Sequence, residues 1–156
     1  MSEVQSRRRI LGAAVAGLAL PMLAKLGHEP AALAADSFPV TADGWVQAAK
    51  AADLVDGAII SVGEQPFLIA RSGKTVMALS STCTHKGCAV APVKTKTGVI
   101  KCKCHGAEYD VKGDVTKAPA KDPLPRFAIR IKDGHVEVNP HQKVPPDDAL
   151  ASATIE

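Results

Sequence analysis

The sequence of 156 residues is poor in aromatic side chains, and its charge is almost balanced. It has only three Phe, one Trp and one Tyr, so the predicted core is aliphatic and small. The formal net charge is +3, with no dense Arg/Lys tract interleaved with aromatics, which excludes a strongly basic nucleic-acid-binding protein. No apolar run reaches the roughly 18–20 residues that a membrane-spanning helix needs. The length suits one domain.

The first 34 residues resemble an export signal. Three arginines, residues 7–9, precede an apolar run from Ile10 to about Leu23, and an A-x-A site ends at Ala34. This pattern predicts a signal peptide over residues 1–34, and the arginines before the apolar run are typical of the twin-arginine route. Because that route exports folded proteins, we expect a periplasmic or other extracytoplasmic protein. An ordinary secretory signal and a retained membrane anchor are the alternatives.

The rest of the chain has the composition and spacing of an all-β protein. Eleven Pro and twelve Gly favour many turns. Short strand patterns occupy residues 58–62, 67–71 and 75–80, and the alternating apolar residues of 127–131 precede an Asp133-Gly134 hairpin turn. We expect one domain over residues 35–140, with Trp45 and Met77 in its core. Residues 141–156 have no periodic pattern, which predicts a loose tail.

All four cysteines lie within 22 residues, in two boxes that also contain histidine. The first box is Cys83-Thr-His-Lys-Gly-Cys88, and the second is Cys102-Lys-Cys-His105-Gly. Thiolate and imidazole groups in tight loops are metal ligands, so the boxes predict a metal site. Two disulfides with incidental histidines would be the purely structural alternative.

Two cysteines and two histidines suit either zinc or a 2Fe–2S cluster with cysteines on one iron and histidines on the other. The spacing C-x-H-x16-C-x-x-H is not that of a zinc finger. Glycines in both boxes favour tight loops whose backbone N–H groups point toward sulfide. A twin-arginine signal also suits a cofactor inserted in the cytoplasm. These features favour iron–sulfur, with a zinc-bound structural module as the alternative.

The boxes resemble those of the Rieske iron–sulfur proteins, C-T-H-x-G-C and C-P-C-H-G-S, and the resemblance covers about residues 80–126. It implies a stack of antiparallel sheets with a projecting two-loop subdomain that binds one 2Fe–2S cluster. It also implies that Cys83 and Cys102 ligate one iron and that His85 and His105 ligate the other. Cys88 and Cys104 would then form a disulfide between the loops, which an exported location permits.

The resemblance also assigns roles to residues around the cluster. Tyr109 matches a tyrosine whose hydroxyl bonds a ligand sulfur, and Pro119 matches a proline loop that covers the cluster. Ala107 replaces a serine that donates to a sulfide, which predicts a potential below the top of the family range. Lys86 replaces the leucine that docks at the quinol site in cytochrome bc-type complexes.

The expected function is one-electron transfer by a small exported redox protein, with no substrate site of its own. Eight lysines and only three acidic residues lie between Cys83 and Lys121, so we expect a redox partner with an acidic docking face, such as a c-type cytochrome or an oxidoreductase. A retained signal anchor would favour the Rieske subunit of a quinol-oxidising complex. The ferredoxin of an oxygenase system is a further alternative, which export and the paired cysteines oppose.

Overall fold

The computed structural model describes residues 38–156, which are almost entirely β-structure. The predicted signal peptide lies outside the described residues. Within residues 38–156, no helix has the length and apolar character needed to cross a bilayer. One short 3₁₀ helix, Ala51–Asp53, follows the first strand. The strands of this part of the chain are β1 (Val46–Lys50), β2 (Ile59–Ser61), β3 (Phe67–Ser72), β4 (Thr75–Ser80), β5 (Val90–Pro92), β6 (Ile100–Cys102), β7 (Glu108–Tyr109), β8 (Val115–Lys117), β9 (Arg126–Lys132), β10 (His135–Val144) and β11 (Ala153–Thr154).

Two antiparallel sheets form the fold, as the sequence predicted. The large sheet has the order β1-β10-β9-β4-β3-β2, and β11 also pairs with β4. The small sheet has the order β5-β6-β7-β8. The Asp133-Gly134 hairpin is confirmed: both residues have positive φ, 49° and 75°, as the twist of a two-residue hairpin turn requires.

Strands β3 and β4 are apolar on both faces because they separate two cores. Phe67 and Ile69 face the core inside the large sheet, where Phe67 packs on Phe127 with ring centroids 6.0 Å apart. Leu68 and Ala70 alternate with them and face the small sheet. This second core also contains both free cysteines, so the loops that carry them pack against β3 and β4.

The C-terminal segment is part of the fold, and the predicted loose tail is wrong. Strand β10 continues to Val144, and Ala151 is fully buried. The Ile129 N–H donates to the Leu150 carbonyl, and β11 pairs with β4. The sequence did not predict this pairing, because the register of β10 shifts between Asn139 and Lys143 and interrupts the alternation of inward and outward side chains.

An ion-pair network links β9, β10 and the turn before β1 in the large sheet. Glu137 is buried, and its Oε2 lies 2.7 Å from Nε of Arg130 on the adjacent strand. Arg130 also contacts Asp43 at 3.1 Å and covers the Trp45 ring at 4.1 Å. Met77 is buried as predicted, but Trp45 is only half-buried because one face packs on the guanidinium instead of the core.

The hydrogen bonds of this network hold the pKa of two groups away from their ordinary values. The pKa of the Asp43 carboxyl is lowered, first by a hydrogen bond from Thr41 and then by Arg130. Burial lowers the pKa of Arg130, but the bonds to Glu137 and Asp43 outweigh it, and the pKa is raised. Both groups therefore remain charged around neutral pH.

Candidate metal centre

The first box lies in loop 1, residues 81–89, between β4 and β5. The Cys83 N–H donates to the Cys88 carbonyl at 2.8 Å, and the Gly87 N–H donates to the Cys83 carbonyl at 2.9 Å. This tight turn requires a positive φ at Gly87, 71°, which glycine adopts without strain. The turn places Cys83 in the core and leaves Lys86 exposed at the tip.

The second box begins at the end of β6 and continues through loop 2, residues 103–107. The Cys102 N–H donates to the Ala107 carbonyl at 2.8 Å, and Gly106 supplies a positive φ of 71°. The Lys103 N–H donates to the Ala89 carbonyl at 3.2 Å, which joins the two loops. The loops therefore form one unit at the end of the small sheet.

The cysteines divide into a disulfide pair and a free pair. Cys88 and Cys104 form a disulfide between the loops, although 16 positions separate them in sequence. Cys83 and Cys102 are both free and buried. A disulfide that joins two loops restricts their separation, so it keeps the free thiols of the two boxes together.

The two histidines of the boxes also face each other. The ring centroids of His85 and His105 lie 5.0 Å apart at an interplanar angle of 85°. His105 is exposed, as expected for a projecting loop, whereas His85 is half-buried. Nδ1 of His85 is buried and has no hydrogen-bond partner among the described residues. A buried polar atom without a partner costs about 1–3 kcal/mol, so this nitrogen is suited to bind a ligand.

The surroundings of Cys83 favour the thiolate, which is the metal-binding form. Burial raises the pKa of this thiol, but hydrogen bonds from Tyr109, the His85 backbone N–H and the Cys102 thiol outweigh burial and lower it. The Tyr109 hydroxyl lies 3.2 Å from Cys83 Sγ and is fully buried. Burial and the nearby Cys83 raise the pKa of Tyr109, so it keeps its proton for donation.

Thr84 has a role that sequence reasoning missed. Its hydroxyl donates to the Asp122 carbonyl at 2.7 Å and lies 3.0 Å from the Tyr109 hydroxyl, while its N–H donates to the same hydroxyl at 3.2 Å. Because Thr84 gives its only hydroxyl proton to Asp122, the Tyr109 proton is shared between Cys83 Sγ and Thr84 Oγ1. The only sequence feature that could have indicated this role was a threonine next to the first cysteine. Its partner Asp122 is 38 positions away in the sequence.

The other predicted residues occupy three different environments. Ala107 is fully buried at the end of loop 2 and brings no hydroxyl to the site. Pro119 is half-buried in the segment after β8, and the Ala118-Pro119 peptide is cis. Lys86 and Lys103 are exposed, one on each loop.

Comparison with known proteins identifies the family. The model of the Rieske [2Fe-2S] domain matches residues 44–128, which include both boxes and most of the large sheet. The chain belongs to the Rieske family. Members bind one 2Fe–2S cluster, and so does this Rieske domain. The predicted fold class is thereby confirmed as well.

The relatives of this Rieske chain differ widely in size. It is 34% identical over 86 residues to the cytochrome b6-f complex iron-sulfur subunit 2 of Nostoc sp., covering 54% of this chain and 48% of that subunit. It is 37% identical over 102 residues to the carotenoid phi-ring synthase of Chlorobaculum tepidum, covering 65% of this chain and 14% of that protein. The chain thus spans less than half the length of either relative.

A solved structure agrees with the Rieske fold. A chain in the complex of reduced oxygenase and oxidised ferredoxin of carbazole 1,9a-dioxygenase is 29% identical, with a TM-score of 0.50. The match covers 65% of this chain and 98% of that one.

The residues of the two loops fit the cluster. A 2Fe–2S cluster of this type takes two thiolates on one iron and two imidazoles on the other. The structure places two free buried thiols in one core cluster and two imidazole rings 5.0 Å apart, and the buried His85 Nδ1 has no partner among the described residues. Within residues 38–156, no group of three His, Cys, Asp or Glu side chains converges on one point. The donors are arranged as two pairs.

Proposed function

We propose that this Rieske domain carries single electrons through a 2Fe–2S cluster held by Cys83, Cys102, His85 and His105. The observation that supports this assignment is the free, buried thiol pair beside the pair of imidazoles. When bound, the cluster supplies a one-electron redox couple. The protein's side chains would set the net charge of the cluster site, the hydrogen bonds to the cluster and its exposure to solvent.

The proposed ligands favour a moderate to high midpoint potential. Two ferric ions, two sulfides and two thiolates sum to no net charge when the imidazoles are neutral, whereas four thiolates would leave a negative site. Adding an electron to a neutral site costs less, so we expect a midpoint potential between about −150 and +300 mV. The exposed His105 ring gives the electron a short path to a partner, and the fully buried Tyr109 and Ala107 exclude water from the opposite side.

Replacing Tyr109 with phenylalanine should lower the midpoint potential by up to about 130 mV. The hydroxyl lies 3.2 Å from Cys83 Sγ, and a hydrogen bond to this sulfur stabilises the more negative, reduced state. A hydrogen bond to a charged group contributes about 1.5–3 kcal/mol, and only the part that differs between the oxidised and reduced cluster shifts the potential, so about 130 mV is the upper limit for a one-electron couple. Redox titration followed by EPR measures the potential of both proteins.

Ala107→Ser provides the reciprocal variant for this experiment. A serine hydroxyl at this buried position would add a donor, so the potential should rise. Iron and labile sulfide must remain at the wild-type level in both variants. An unchanged potential in Tyr109→Phe would contradict the assignment of Cys83 as a ligand, whatever Ala107→Ser does.

The lysines near the loops differ in how far their charges are neutralised. Glu108 lies 3.7 Å from Lys101 and 3.8 Å from Lys117, so this carboxylate offsets charge on the face of the small sheet. Lys86 and Lys103, on the two loops, have no carboxylate within 4.0 Å in residues 38–156. The positive potential should therefore be strongest around the two histidines, where electrons leave. This distribution supports docking of the loops on an acidic face of the redox partner.

Neutralising both loop lysines, Lys86→Gln with Lys103→Gln, should slow electron exchange with an acidic-faced c-type cytochrome about tenfold at low salt. The wild-type rate should fall steeply as salt is added, because screening shortens the range of the attraction. The rate of the double variant should depend less on salt. Stopped-flow mixing across a range of ionic strength measures both effects.

A matched control removes two charges elsewhere. Lys50 and Lys132 are exposed beside the Asp133-Gly134 hairpin, about 20 Å along β9 from the end that adjoins loop 1. Lys50→Gln with Lys132→Gln changes the net charge equally and should leave the rate within about twofold. Equal slowing in both double variants would exclude local docking at the loops.

The sequence predicted a free-standing, exported redox protein, and two other biological roles are alternatives to it. The Nostoc relative is named as a subunit of a cytochrome b6-f complex, which favours a place in a quinol-oxidising complex. The charged Lys86 at the tip of loop 1 opposes insertion into an apolar quinol site. The carbazole dioxygenase structure contains a ferredoxin, but the Cys88–Cys104 disulfide favours an oxidising, extracytoplasmic location over an intracellular ferredoxin.

A further inference from the structure

A second polar site lies away from the two loops, on the face of the large sheet that carries the small sheet. A cavity of about 360 Å³ is lined by two hydroxyl side chains, two cationic side chains and one thioether: Ser72, Thr75, Lys112, Arg126 and Met77. None of its lining residues is acidic. We propose that this cavity binds a small oxyanion of the phosphate or sulfate class. The proposal is independent of the function proposed above.

The strand register explains how these groups meet. Ser72 and Thr75 are directly paired across β3 and β4, so their side chains lie on the same face. Met77 follows Thr75 by two positions and shares that face, and Met77 belongs to the core beneath the small sheet. Arg126 begins β9 and pairs with Leu79 on the same side. Lys112 reaches the cavity from the turn between β7 and β8.

The positive charge of Arg126 is not neutralised within the described residues. Its guanidinium donates only to the carbonyls of Lys112 and Pro146, both at 3.4 Å. Arg130, four positions further along β9, instead contacts two carboxylates. A half-buried guanidinium held by two long hydrogen bonds to carbonyls retains N–H donors for an anion.

Two carboxylates close in sequence to Lys112 and Pro146 are engaged outside the cavity. Asp110 Oδ1 accepts from the N–H groups of Lys112 and Asp114, at 2.8 and 2.9 Å, which folds the turn that presents Lys112. Asp148 Oδ1, beyond Pro146, accepts from the Leu150 N–H at 2.8 Å. Neither side chain lines the cavity. The hydroxyls of Ser72 and Thr75 can add neutral donors to the two cations, which suits an anion with several oxygen atoms.

Titration of the cluster-loaded protein with inorganic phosphate tests the proposal, by calorimetry and by the unfolding midpoint at constant ionic strength. Saturable binding should raise the midpoint, because the ligand binds only the folded state. Sulfate should replace phosphate, whereas acetate should bind at least tenfold more weakly because it has fewer oxygen atoms. Acetate binding equal to phosphate would overturn the assignment of the oxyanion class.

Variants distinguish a built site from diffuse charge. Lys112→Gln, at an exposed position that leaves the fold intact, and Lys112→Gln with Arg126→Gln should each weaken phosphate binding about tenfold or more. The control is Lys94→Gln with Lys96→Gln, which removes two charges from a different cavity, of about 370 Å³, beside β5. The control should bind phosphate as the wild type does. Equal weakening in the control, or no saturable binding in the wild type, would overturn the proposal.

Discussion

Replacing Cys102 with alanine should leave the protein without its 2Fe–2S cluster. Cys102 is a buried free thiol at the end of β6, in the same core cluster as Cys83, which is the only other free cysteine of residues 38–156. Because Cys88 and Cys104 are joined in a disulfide, the loss of Cys102 removes one of the two protein thiolates that could bind the cluster. We expect iron and labile sulfide to fall from two of each per chain to about zero. The visible and EPR signals of the cluster should be lost with them.

Lys103→Ala is the matched control for this experiment. Lys103 is adjacent in the same loop but exposed, so its loss should leave two irons per chain. Circular dichroism separates loss of the cluster from loss of the fold, because most strands belong to the large sheet. Two irons in Cys102→Ala would refute the ligand assignment. One zinc per wild-type chain would instead favour the structural alternative.

Glu137→Ala should lower the free energy of unfolding by about 3 kcal/mol, the lower end of the range for breaking a buried ion pair. The Glu137 side chain is 2% exposed and lies 2.7 Å from Arg130, which is 30% exposed. Without Glu137, the guanidinium would remain partly desolvated. Asp43 and Trp45 still contact it, which keeps the loss from being larger. Urea unfolding of the cluster-loaded protein, followed by circular dichroism, measures the change.

Glu108→Ala is a control with the same change of side chain. Glu108 also lies between two cationic groups, but its lysines are 50% and 61% exposed and 3.7–3.8 Å away. Such exposed pairs contribute about 0–1 kcal/mol, so this variant should be close to the wild type. If Glu137→Ala does not fold, Glu137→Gln keeps the volume and a hydrogen-bond acceptor and should fold with a smaller loss. Equal losses in the Glu137 and Glu108 variants would show that burial of the pair adds nothing.

The two experiments depend on different parts of the fold. The cysteine variant affects the loops, whereas the Glu137 variant affects β9 and β10 of the large sheet. Strands β3 and β4 belong to both cores, so a large loss of stability at Glu137 could also reduce cluster content. Iron content measured on the folded fraction of Glu137→Ala separates these effects.

The sequence was most informative where the relevant contacts are local. Cys83 and His85 lie two positions apart, as a tight turn requires, so their pattern predicted the site without any knowledge of the sheets. The Asp133-Gly134 turn could also be predicted from the sequence, because its two positive φ angles are a local property of those two residues. The strands at 67–71 and 75–80 followed from short apolar runs, although the runs did not reveal which core each side chain faces.

The tertiary structure decided the features that depend on register and on distant partners. The bond from Thr84 to Asp122 spans 38 positions, and a bulge in β10 hid the pairing of the C-terminal segment. Neighbouring strands decide that Glu108 offsets the charge of two lysines. They also decide that Lys112 and Arg126 line the same cavity. Side-chain chemistry and local turns depend on residues close together in the sequence, so the two boxes by themselves predicted the metal site, and their resemblance to those of the Rieske proteins indicated the family and its cofactor. Burial and charge pairing arise only when strands far apart in the chain are placed side by side.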